Sequence, residues 1–62
     1  MEKEKIMKLY KEAAERSRSK NKEERIKAVE TMIDLEEVTE INYGYEFWYE
    51  LRLLRKEIIS KK

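Results

Sequence analysis

A chain of 62 residues with no cysteine and no histidine has few ways to hold itself together. At this length folding hides only about 60% of the surface that the unfolded chain exposes, so the core is marginal. Folds this small are commonly stapled by disulfides, by a metal or by association with another chain. Without Cys there is neither a disulfide nor a thiolate metal site, and without His the commonest zinc ligand and the commonest general base are missing. Association is the staple that remains. The length allows one domain, taken here as residues 1–62.

Charge is abundant but balanced: 15 Lys and Arg stand against 14 Asp and Glu, a net of +1. Such a chain feels no global pull toward nucleic acid or a membrane surface. Its apolar runs are two or three residues long, so nothing spans a bilayer. The first ten residues mix acids with bases and carry no apolar block, so they do not read as a secretory signal. The expectation is a cytoplasmic protein. Gln and Pro are also absent, and Lys and Glu are plentiful. That balance is shared by heat-adapted proteins and by computationally designed bundles.

Helical periodicity organises most of the chain. Ile6, Tyr10, Ala13 and Ser17 follow i, i+4, i+7 and i+11, bordered by Met7 and Ala14, and predict a helix over 2–18. Glu12 precedes Arg16 by four, the favourable order for an ion pair along a helix. Ser19 to Asn21 break the pattern, and Asn21 with Glu24 three residues on forms a loose capping box that starts a second helix at Lys22. That helix, 22–42, has two apolar faces. Ile26, Val29 and Ile33 form one; Ala28, Met32, Leu35 and Thr39 form the other, about 120–140° around. Two faces predict contact within the chain on one side and room for another chain on the other. The acids Glu36, Glu37 and Glu40 continue the first face.

Beyond Glu37 two templates compete. Residues 37–50 alternate apolar and polar with one exception, Trp48, as a β-hairpin would. Tyr43, Phe47, Leu51, Leu54 and Ile58 also form an unbroken helical stripe. The helical reading is preferred, with a third helix over 45–60 and Gly44 ending the second. The expected fold is therefore all-α, a small three-helix bundle or helical hairpin plus third helix, completed by self-association. The alternative is two helices followed by a β-hairpin at 37–50.

Five of the six aromatic residues fall within Tyr43–Tyr49. On a third helix, Tyr43, Phe47, Leu51, Leu54 and Ile58 supply core. Tyr45, Trp48, Arg52 and Ile59 then face away, with Tyr49 and Leu53 further around. Tyr45, Trp48, Tyr49, Arg52 and Ile59 are the candidate protein interface, since exposed Trp, Tyr and Arg are the usual anchors of a binding surface. The competing structural reading has Trp48 covering Ile6 and Tyr10 at the end of the first helix. An aromatic cage for a methylated cation would need Tyr43, Tyr45 and Trp48 together, and the helical faces part them.

A second candidate is the basic turn 16–27, where Arg16, Arg18, Lys20, Lys22, Arg25 and Lys27 could seat phosphates beside the start of a helix. Its outline is that of a helix-turn-helix, but the turn lacks Gly and Glu23 and Glu24 stand where base-reading residues would sit. Glu30, Asp34 and Glu37 share one side of the second helix, with Glu36 and Glu40 near; without His this is read as a solvated face rather than a metal site. No nucleophile–base pair or phosphate-binding loop is present, so no enzyme, cofactor or small-molecule substrate is expected. The expected function is a non-catalytic protein–protein interaction module, a small regulator, inhibitor or adaptor. Its partner is a second copy, with a dimer favoured, or another protein. The alternatives are a nucleic-acid-binding module using 16–27 and a designed or structural bundle without a natural partner.

Overall fold

The computed structural model describes residues 2–60. They form three helices, α1 Lys3–Arg16, α2 Lys22–Tyr43 and α3 Tyr45–Ser60, and no strand among the described residues. The hairpin alternative at 37–50 is overturned. Alternation is only a weak pattern in short apolar runs, and here the stripe Phe47, Leu51 and Ile58 is what becomes buried. α1 is shorter than the 2–18 expected, because Ser17 already leaves the helix.

The end of α1 and the start of α2 account for their free backbone groups, whereas Glu2 caps the start of α1 with no side-chain hydrogen bond. The last carbonyls of α1 accept from Ser17 N–H, the Ser17 hydroxyl, Arg18 N–H and Ser19 N–H at 2.6–3.2 Å. At the start of α2 the Asn21 side chain accepts from Glu23 N–H at 2.9 Å and Glu24 N–H at 3.2 Å. Glu24 does not reach back directly. Its carboxylate accepts from the Ser19 hydroxyl at 2.6 Å, and that hydroxyl accepts from Asn21 N–H at 3.1 Å. Ser19 thus inserts itself into the capping box.

Gly44 alone separates α2 from α3. Its φ of 88° and ψ of −178° lie in a region open essentially only to glycine. Its carbonyl accepts from Trp48 N–H at 3.4 Å, so one residue ends one helix and begins the next. Lys3 of α1 stands over the rings of Tyr43 and Phe47, while Arg18 donates to the Ile58 carbonyl at 3.2 Å. α1 and α3 therefore run parallel, with α2 antiparallel between their ends. Ile6, Tyr10, Ala13 and Ala14 from α1, Met32 and Leu35 from α2, and Phe47, Leu51 and Ile58 from α3 close the core. Ala13 and Ala14 leave no bulk of their own, which lets the neighbouring helices come close.

Candidate protein interface

The candidate interface face of α3 begins in the core. Glu36 of α2 is buried, with its side chain 9% exposed. It accepts the Tyr10 hydroxyl of α1 at 2.7 Å, and Arg52 and Arg55 of α3 approach its two oxygens at 3.3 and 3.5 Å. One carboxylate thus joins all three helices. Its arginine partners are half in water, 47% and 37% exposed, so they give up little hydration to meet it. Burial, and then the Glu36 carboxylate beside it, push the Tyr10 phenol well above the ordinary tyrosine range; Arg55 pulls weakly the other way.

This corrects the placement of Glu36 with Glu37 and Glu40 on an exposed acidic face. Glu36 lies four residues after Met32 and next to Leu35, on the edge of the buried stripe. The position is readable from helical spacing, but a carboxylate is buried there only because Tyr10, Arg52 and Arg55 converge on it. Glu37, Glu40, Glu30 and Asp34 do stay exposed. Among the described residues the only ion pairs are the two on Glu36, so Glu12 and Arg16 do not close theirs.

From Glu36 the polar contact runs outward into the aromatics. Arg52 lies over the Trp48 ring at 5.3 Å from its centroid. Trp48 packs on Tyr45 at 5.1 Å, and Tyr45 stacks on Tyr49 at 6.0 Å with planes 14° apart. These contacts are the i, i+3 and i, i+4 neighbours of a helix surface. Tyr45 is 66% exposed, Tyr49 is exposed, and Trp48 is half-buried beneath Tyr45 and Arg52. Trp48 is not among the residues of the core cluster, and Ile6 and Tyr10 are covered without it.

Of the predicted interface, Tyr45, Trp48, Tyr49 and Arg52 form one continuous stack. Ile59 is exposed but lies about 10 Å beyond Arg52 along the axis, with Arg55 and Lys56 in between. A shallow depression of about 380 Å³ lined by Tyr49, Arg52, Leu53, Arg55 and Lys56 adjoins the stack. The surface is therefore aromatic at its N-terminal end and cationic beyond. Tyr43 sits apart, edge-on to Phe47 at 5.6 Å, so no cage forms with Tyr45 and Trp48.

Two of the six bases of the turn are put to internal use. Arg18 holds the end of α3, and Arg25 donates to the carbonyls of Ser19 and Lys20, both at 2.9 Å. Asn21 already occupies two N–H groups of the α2 start. Arg16, Lys20, Lys22 and Lys27 are exposed without an ion pair among the described residues. No helix of the described chain is long and apolar enough to cross a membrane.

These features define a small three-helix bundle with an arginine-clamped aromatic face. No family model matches the chain, and neither does any curated protein or solved structure compared with it.

Proposed function

We propose that this chain is a non-catalytic protein-interaction module, a small regulator, inhibitor or adaptor that acts by presenting the α3 face to a partner. One observation carries the reading: Tyr45, Trp48, Tyr49 and Arg52 form a pre-stacked, largely exposed surface outside the core. Stacking fixes the side chains before a partner arrives, so less rotamer freedom is lost on docking. Aromatic and Arg side chains are also those that dominate binding energy at interfaces. The cationic rim of Arg52, Arg55 and Lys56 favours an apolar surface edged with carboxylates.

The single Trp makes the test direct. Trp48 emission is recorded across a dilution series from high to sub-micromolar concentration. Constant emission between the solvent-like and the interior-like extremes is the expected result for this half-buried ring, and leaves the face open for another protein. Emission that reddens on dilution means that a second copy closes it. Constant emission typical of an apolar interior refutes the reading, because Trp48 then belongs to the core.

A further inference from the structure

The other unexplained surface is on α2, and it stands independently of the α3 reading. Ile26, Val29 and Ile33 share one face and are 48%, 42% and 52% exposed. No described residue closes over them. The face that docks on α1 and α3 is the other one, carrying Ala28, Met32, Leu35, Glu36 and Thr39.

The charges around this stripe are unevenly placed. Lys20, Lys22, Arg25 and Lys27 stand at or just before its N-terminal end, diluted by Glu23 and Glu24. From Ala28 to Leu51 there is no Lys or Arg at all, while Glu30, Asp34, Glu37 and Glu40 are exposed and have no ion-pair partner among the described residues. Spacings of three and four put these acids beside one another along the helix, where like charges repel. Acids near the C-terminus of α2 also oppose its macrodipole, and its last turn holds no base. α2 thus carries an acidic half with nothing to answer it and a basic end on the same helix.

A second copy supplies the answer. We propose that α2 pairs antiparallel with α2 of another copy about a two-fold axis near Val29. Ile26 then lies opposite the partner's Ile33, and Lys22 opposite the partner's Glu37. The same operation repeats both contacts, as an isologous interface requires. A parallel pair would set base on base and acid on acid. Lys22, Ile26, Val29, Ile33 and Glu37 follow helical spacings of four, three, four and four, so a single seam holds them all. The seam is only about 22 Å long. It hides less than the roughly 1,200–2,000 Å² of stable complexes, so the dimer forms in the sub-millimolar range rather than tightly.

Sedimentation equilibrium at low salt tests this with Lys22→Glu and Glu37→Lys. Each variant alone turns both charge pairs repulsive and should weaken the dimer about tenfold. An equimolar mixture of the two restores two attractive pairs, and the mixed dimer should match or exceed the wild type. Lys22→Glu suits the macrodipole at the start of α2 and Glu37→Lys relieves repulsion from Asp34 and Glu40, so lost association cannot be ascribed to a damaged helix, and circular dichroism checks this. A wild-type chain that stays monomeric to about 1 mM overturns the proposal. So does a dimer indifferent to either variant, or a mixture that fails to recover. Trp48 is not part of this seam, so its emission reports on the α3 face separately.

Discussion

Replacing Tyr10 by Phe asks whether the buried junction of the three helices works as its geometry implies. The ring is fully buried and stays, while the hydroxyl that donates to Glu36 at 2.7 Å goes. A hydrogen bond to a charged group is worth about 1.5–3 kcal/mol, so Tyr10→Phe should cost about 2 kcal/mol at neutral pH. The pH dependence is the sharper signature. The folded protein holds the Tyr10 proton more tightly than the unfolded chain does. That stabilisation is complete below about pH 10, the unfolded value, and is lost as pH rises above it toward the higher folded value. Over that window the wild type loses about 1.4 kcal/mol per pH unit through this one group. The variant has no such group. A gap of about 2 kcal/mol therefore closes about 1.5 units above the unfolded value, and the two stabilities cross between roughly pH 11 and 12. The lysines and other tyrosines are common to both proteins and cancel in the difference. Urea unfolding followed by far-ultraviolet circular dichroism, repeated from pH 7 upward, gives both curves. Parallel curves across the alkaline range would refute the argument, because Tyr10 would then ionise equally easily folded and unfolded.

Two further positions can be tested by substitution. Gly44→Ala should cost about 1–3 kcal/mol from backbone strain alone, since a Cβ there meets nothing within 4 Å. D-Ala, installed by chemical synthesis, finds the same φ and ψ to be the mirror image of ordinary extended backbone and should stabilise by about 0.4–1 kcal/mol; equal melting temperatures for the two epimers would show that strain does not govern this link. The Thr39 hydroxyl is fully buried with no hydrogen-bond partner among the described residues. Thr39→Val keeps the shape and removes the orphan group, so it should raise stability by about 1 kcal/mol, or the melting temperature by roughly 4–8 °C; a drop in either would mean that the hydroxyl is satisfied in solution.

The three helices were legible because apolar spacing, the Asn21 cap and the lone glycine all agreed. The break at Gly44 followed from its freedom at positive φ. The hairpin stayed open on sequence alone because Tyr, Phe and Ile suit strands by type and helices by spacing here. Only the cost of leaving Phe47, Leu51 and Ile58 uncovered decides between them. The candidate site was legible in part. Tyr45, Trp48 and Arg52 were placed on one face by angle. That Arg52 turns to Glu36 could not be read, since the contact joins residues 16 apart on different helices. On charge alone, Glu36 belongs in water. A carboxylate enters a core only when donors converge on it, and Tyr10, Arg52 and Arg55 are scattered over 46 positions of sequence.

Arg52 links the two parts of the molecule that matter most. It pairs with the carboxylate on which all three helices meet, and it lies on the Trp48 ring. The orientation of the exposed stack is therefore set from within, through a single guanidinium that is planar enough to do both. Lysine could meet Glu36 but could not lie flat on the indole. The α2 stripe has no such internal clamp. Its isoleucines and valine stand free, and its Lys22 and Glu37 meet their opposites when the helix is reversed end to end. The α3 face is aromatic at one end and basic along the rest, so reversing it onto a second copy sets Arg and Lys against Tyr and Trp and leaves no acid to meet them. The two proposed surfaces thus differ in the partner that they would take: a copy of the same chain on α2, and an acid-edged apolar surface on α3.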